Sequence, residues 1–294
     1  MNTKILWTAA LLMTVANIQA ASAEETAKED KGIENPVQWK ANFKRVALEF
    51  SNTSVSNAGE YKDSPNAKLS ADSESVIKGV FDFALERETG GSLWSNKLLM
   101  EYGETRVKPV DGQTNTTENA DKILLTTEYN DKMWKYEDAD VGPFASMGYQ
   151  TEFTANQDAP RTKTFRGMAG LKLFNGAYIK ELYGAAVQEW DLTYSDDIKK
   201  TAYELGLKAE YQLREGVKFQ LDTYFRDYVY FSRYEGTDFD YEYNVTARMD
   251  VAMVHNVSLA PYVTYFEAKA RNADKKGSNF LVGISLAYAN LFNL

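Results

Sequence analysis

The stretch Tyr203-Glu204-Leu205-Gly206-Leu207-Lys208-Ala209-Glu210-Tyr211-Gln212-Leu213 alternates apolar residues with polar residues or glycine, without a break. The same two-residue beat runs from Tyr241 to Val251. There Tyr243, Val245, Ala247 and Met249 alternate with Glu242, Asn244, Thr246, Arg248 and Asp250. Successive side chains of a β-strand point to opposite faces, so each stretch has one apolar face and one charged face. Working outward, the pattern recurs over roughly 38–52, 75–87, 93–106, 121–133, 140–153, 163–174, 177–192, 201–213, 217–230, 240–252, 257–269 and 279–292. Most of these segments reach the roughly 9–11 residues that a tilted strand needs to cross a bilayer. Ordinary globular strands have a mode of about 5–6 residues.

The links give a second test. Glu88–Gly91, Lys135–Ala139, Asn175-Gly176, Arg214–Gly216 and Met253–Asn256 are short. Thr53–Glu74, Val107–Ala120, Thr154–Thr162, Phe231–Phe239 and Ala270–Ser278 are longer and more polar. Outer-membrane barrels have short periplasmic turns and longer external loops. The expectation is therefore an all-β protein: an antiparallel up-and-down transmembrane β-barrel of about 12 strands over residues 37–294, both ends periplasmic. Asn175-Gly176 is expected to form a type I′ hairpin turn, since both residues tolerate positive φ. The phase of the first strand switches near Arg45, which points to a β-bulge or a later start. The phase around Gly184-Ala185-Ala186 is ambiguous.

The N-terminus reads as an export signal. Lys4 supplies charge, Ile5–Ala16 is apolar but too short to span a bilayer, and Ala21-Ser22-Ala23 is a cleavage site. Residues 1–23 are thus expected to be a signal peptide and 24–36 a flexible periplasmic lead. An uncleaved N-terminal anchor is the alternative. Removing residues 1–23 takes away one of 33 basic residues and no acid, leaving 32 against 42, a net charge of −10. That balance argues against a nucleic-acid partner. The absence of cysteine leaves no disulfide and no thiolate metal site. A mean hydropathy of −0.46 is compatible with a barrel, because half of each strand is polar. Nineteen tyrosines and 15 phenylalanines suit two interfacial girdles.

Ile77, Phe81, Phe83, Leu85, Trp94, Leu98, Met100, Tyr102, Met147, Phe219, Val263, Val282, Ile284 and Leu286 form the expected lipid face. A soluble sandwich would bury the same residues, and periodicity alone does not separate the two. If they face lipid, the alternate positions line a lumen. Its acids are Asp82, Glu86, Glu101, Glu128, Glu152, Glu204, Glu210, Asp222, Glu242 and Asp250, and its bases Lys78, Lys97, Arg166, Lys172, Lys208, Lys218, Arg226 and Arg248. Ten acids against eight bases predict either cross-strand ion pairs that fill the interior or a narrow pore with mild cation preference.

Stretches Lys97-Leu98-Leu99-Met100-Glu101-Tyr102-Gly103, Asp121-Lys122-Ile123-Leu124-Leu125-Thr126-Thr127 and Val282-Gly283-Ile284-Ser285-Leu286-Ala287-Tyr288 resemble small Gram-negative outer-membrane barrels known only as domains of unknown function. The resemblance runs through residues 37–294 in pattern. It implies an outer-membrane barrel and brings no catalytic residues. Many such barrels end on an aromatic residue that serves as an assembly signal. Here Phe292 keeps the outward phase and Leu294 is last.

Function is expected to be that of a narrow passive channel for small solutes, with a non-conducting structural or surface-loop protein as the alternative. An enzyme is the less favoured class. The sole histidine, His255, sits in a short link on the periplasmic side, and the Glu101 and Glu128 carboxylates are unremarkable in a charged lumen. No cofactor and no metal are expected, since Asp138/Asp140 and Asp196/Asp197 lack a ligand loop. Expected partners are outer-membrane lipid, lipopolysaccharide through Lys199, Lys200, Lys275 and Lys276, the barrel-assembly machinery, and a small solute.

Overall fold

The computed structural model describes residues 37–61, 64, 68–69, 73–107, 115–154, 160–194 and 196–294. The signal peptide read over 1–23 and the lead over 24–36 lie outside the described residues.

Among the described residues, thirteen strands form one sheet. They are β1 (Gln38–Ser56), β2 (Ser73–Glu88), β3 (Ser92–Val107), β4 (Asn115–Asp131), β5 (Trp134–Tyr136), β6 (Ala139–Thr151), β7 (Lys163–Phe174), β8 (Ile179–Asp191), β9 (Ile198–Arg214), β10 (Val217–Phe231), β11 (Phe239–Val254), β12 (Val257–Ala270) and β13 (Gly277–Asn293). β5 is a three-residue ribbon on β6. The other strands pair antiparallel in chain order, β13 returns to β1, and a β4–β6 pairing bypasses β5. The result is a closed, up-and-down barrel in which, among the described residues, each of the twelve long strands has a long strand on both sides. Chain ends and short turns share one end, because Lys40 pairs with Asn293 and with Glu86. The longer links gather at the other end.

The apolar face is outside. Ile77 is 47% exposed, Leu205 56% and Val282 50%. Charged residues at the alternate positions of the strands are buried instead: Glu49 is 2% exposed, Glu204 4% and Arg226 6%. A soluble sandwich would show the reverse.

Several boundaries differ from the sequence expectation. β4 starts at Asn115, so the Val107–Ala120 link contracts, because strand pairing to β3 continues through Thr116 and Thr117. β1 runs to Ser56 and leads into a short 3-10 helix, Ala58–Glu60. The Lys135–Ala139 link holds part of β5. Asn175-Gly176 is not a type I′ turn. Asn175 has φ 60° but Gly176 keeps a negative φ, and β8 begins only at Ile179. Glycine is needed there for space, since an added Cβ would lie 2.6 Å from the Ile179 carbonyl oxygen. The two-residue left-handed turn is instead His255-Asn256, at φ 34° and 63°, between paired Val254 and Val257.

The bulge in β1 is present. Its register shifts between Phe43 and Val46 against β13, and between Phe43 and Arg45 against β2. Phe43 stays outside, where its ring meets Phe81, Phe83 and Phe292. Lys44 and Arg45 both turn inward, and the outward beat resumes at Val46, Leu48 and Phe50. One extra residue thus sets two cations side by side on the inner face.

Candidate functional site

The inner face is a set of ion pairs generated by strand register. Arg226 on β10 lies directly opposite Glu204 on β9 and Glu242 on β11. Its guanidinium ion-pairs with the Glu204 carboxylate and donates to Glu242 at 2.7 Å. Tyr183 donates to Glu204 from β8 at 2.6 Å. Arg166 faces Glu189 across β7–β8 and donates to it at 2.5 Å. Nearer β1, Glu49 collects Lys78 at 3.4 Å, Arg45 at 3.1 Å and Arg248 at 3.6 Å. Lys78 also donates to Glu101 at 3.0 Å, and Arg248 to Asp250 at 2.9 Å. Toward the turn end, Lys172 bridges Glu128 at 2.9 Å and Glu181 at 3.2 Å, and Lys208 reaches Glu181 at 3.1 Å.

The charges singled out in the sequence fall into a few groups, with Lys218 lying 3.6 Å from a partly exposed Glu210. Arg226, Glu204 and Glu242 form one cluster, and Lys78, Glu101, Arg248 and Asp250 belong to a second around Glu49. Lys97, Glu128 and Glu86 border a turn-end cavity. Lys208 and Arg166 bind acids on β8. Among the described residues, Asp82 and Asp222 make no ion pair. Glu101 and Glu128 are not brought together, since each is held by a different lysine. Glu152 lies past the end of β6, where it accepts from the Thr162 backbone N–H and hydroxyl and braces the following link.

Sequence reasoning missed Lys44, Arg45 and Glu49, which the bulge redirects, and Glu181 and Glu189, on the strand whose phase was ambiguous. The signal for Glu181 and Glu189 was present: both share parity with Tyr183, and only the small residues at 184–186 obscured it. Lys122 also faces inward, paired in register with Glu101.

Two inner tyrosines lie over cross-strand glycines. A Cβ on Gly206 would stand 2.3 Å from the Tyr183 ring, and one on Gly283 would stand 2.5 Å from the Tyr262 ring. The close approach lets Tyr183 reach Glu204, and Tyr262 reach Glu49 at 3.3 Å. Gly206→Val is expected to cost roughly 1–3 kcal/mol, the usual penalty of overpacking. Gly79→Ala, whose added carbon would meet only the Tyr102 carbonyl at 3.7 Å, should be near neutral in the same urea-unfolding measurement. Equal losses for the two would refute the ring-over-glycine account.

At the loop end the interior changes character. Tyr61 and Leu69 pack on Phe266, Ala268 and Ala270, inward residues at the loop end of β12. The Tyr61 hydroxyl donates to the carbonyls of Ala268 at 3.2 Å and Lys275 at 2.8 Å. Of the four lysines assigned to external links, Lys199 and Lys200 belong to β9, and Lys200 is tied to Asp238 at 2.8 Å. Lys275 is exposed in the β12–β13 link. Lys276, in the same link, is held above the usual lysine range by its hydrogen bond to Glu267. His255 is an exposed turn residue. Among the described residues, no three His, Cys, Asp or Glu side chains converge as metal ligands would.

A closed antiparallel barrel with its apolar face outward and its charges inward defines the outer-membrane β-barrel class. An outer-membrane channel from Pseudomonas putida F1 is similar in structure, with a TM-score of 0.52 at 12% identity over 89% of this chain and 99% of that one. The outer-membrane channel DcaP of Acinetobacter baumannii scores 0.43 at 7% identity, over 88% of this chain and 99% of that one. Outer-membrane phospholipase A from Escherichia coli also scores 0.43, at 10% identity, over 88% of this chain and 93% of that one. Only the first of these carries weight, and at that identity it speaks to the fold alone. No family model matches the sequence, and no curated protein matches it.

Proposed function

We propose that this chain resides in the outer membrane, with its turn end and both termini in the periplasm, and acts as a narrow passive channel for small solutes. The supporting observation is the inside-out patterning: charged side chains line an enclosed interior while Leu205, Val282 and their neighbours face outward. On this reading Lys78, Asp82, Glu86, Lys97, Glu101, Glu128, Arg166, Glu204, Lys208, Asp222, Arg226, Glu242, Arg248 and Asp250 line the lumen. Lipopolysaccharide and the barrel-assembly machinery are proposed partners on the same footing.

Adding the inward residues that the sequence concealed brings the two signs into balance. Lys44, Arg45, Lys122 and Lys180 join the bases, Glu49, Glu181 and Glu189 join the acids, and Glu152 leaves them. The proposal keeps the mild cation preference read from the sequence, with paired and balanced charges making selectivity weak.

Planar-bilayer recording is the test. Small, ohmic steps are expected in KCl, with a reversal potential in a salt gradient displaced slightly toward that of potassium. Silence from protein shown to be inserted would favour the structural alternative, to which the Tyr61–Phe266 cluster at one mouth lends some support. An enzymatic reading has less to build on, because His255 is a turn residue and the inner carboxylates other than Asp82 and Asp222 are mostly held in ion pairs.

A further inference from the structure

Most lumen cations are hydrogen-bonded to an acid; of those that are not, Lys44 and Lys97 share one cavity. Lys44 Nζ lies 3.5 Å from Glu86, and Lys97 Nζ lies 3.7 Å from Glu128. Both exceed the roughly 2.7–3.2 Å of a hydrogen bond. Neither ammonium has another hydrogen-bond partner among the described residues. Both border one turn-end cavity of about 250 Å³. Two further groups on its wall are buried without partners: Ser95 Oγ, on a residue 2% exposed, and Asn130 Oδ1, on a residue 1% exposed. An unmet buried donor or acceptor is costly unless something fills it.

The charges on the wall say what would fill it. Lys44, Lys97, Lys172 and Lys180 stand against Glu86, Glu128 and Glu181. Four cations and three anions leave one positive charge over. One negative charge neutralises that surplus, whereas a dianion would face three carboxylates at short range. The volume lies just below the roughly 300–1,000 Å³ typical of sites for drug-sized ligands, so the occupant is small. The Ser95 hydroxyl and Asn130 carbonyl oxygen can pair with hydroxyl groups.

We propose that this cavity is a binding site for a small hydroxylated monocarboxylate, its carboxylate between Lys44 and Lys97 and its hydroxyls on Ser95 and Asn130. The cavity is a local cationic site within a lumen whose charges are close to balance. The proposal deepens the channel reading, in that such a solute would be captured on its way through, but the binding itself does not require conduction.

Equilibrium dialysis of the folded full-length protein in detergent provides the test, with radiolabelled glycerate as the probe. Saturable glycerate binding is expected. Glycerol, which lacks the charge, and tartronate, which carries two, should each bind at least about tenfold more weakly, the effect of losing a charge-assisted contact or adding a repulsive one. Lys44→Gln and Lys97→Gln should each weaken glycerate about tenfold, and Ser95→Ala several-fold. Each variant is first shown to be folded by the difference in gel mobility between unheated and boiled samples. Ser95→Ala removes only an oxygen and serves if a lysine variant does not fold. No saturable glycerate binding, tartronate binding as tightly as glycerate, or folded variants that bind like wild type would overturn the proposal. Bilayer conductance in KCl is recorded in parallel. Conductance without glycerate binding sinks the site and spares the channel; binding without conductance does the opposite.

Discussion

Arg226→Met is expected to destabilise the barrel by about 3–5 kcal/mol, the cost of removing one partner from a buried ion-pair network. Among the described residues, only Arg226 bonds both Glu204 and Glu242, and the three side chains are 7%, 5% and 11% exposed. The substitution keeps most of the volume but leaves two carboxylates with fewer compensating donors. Glu204 retains the Tyr183 hydroxyl, so Glu242 bears more of the loss. Urea titration of folding into lipid vesicles would read the effect directly. A loss below about 1 kcal/mol would place the cluster with solvent-screened surface pairs and imply a wet interior at that level. The triple change Arg226→Met, Glu204→Gln, Glu242→Gln should recover part of the loss, because no uncompensated charge then remains. Additive losses instead would mean that the three residues do not act as a unit.

The same cluster shows how far the sequence could be read. Glu204, Arg226 and Glu242 share the inward parity of their strands, and that parity is visible in the alternation alone. Which acid meets which base is not visible, because it depends on register between strands. One residue of slip reverses every face, while a two-residue slip keeps the faces and changes all the partners. Strand number and the set of residues that share each face were therefore legible. The Lys208–Glu181 contact was not, since Asp222 stands equally opposite Lys208 on the other neighbour. The bulge was legible as a phase switch near Arg45. Its consequence, two adjacent inward cations, required knowing that Phe43 stays outside. The turn at 175–176 was misread because glycine there answers a steric demand rather than a torsional one. The turn-end cavity was not legible at all, since its wall draws on β1, β2, β3, β4, β7, β8 and the link at Asn175, segments far apart in the chain.

Leu205→Arg should cost about 2–4 kcal/mol of folding free energy in lipid, and Leu213→Arg only about 0–1, because the penalty for arginine on the lipid face depends on depth. The two leucines are exposed on the same face of β9, at 56% and 53%, and they differ in distance from the barrel ends. Leu205 sits near the middle of its strand, opposite Phe225 and Gly184. Leu213 is next to the final residue of β9, where the chain turns at Glu215-Gly216. A soluble barrel would give both substitutions the same small effect, since each side chain would already be in water. The contrast therefore tests the bilayer itself as solvent and owes nothing to the lumen. It is measured by urea titration of vesicle-folded protein, with the detergent-folded protein as reference. A flat profile along β9 would remove the membrane from the account, however well the interior ion pairs behaved. A steep one would also fix where the hydrocarbon midplane crosses the barrel, and hence the depth of the Arg226 cluster, which shares that level through its register with Glu204.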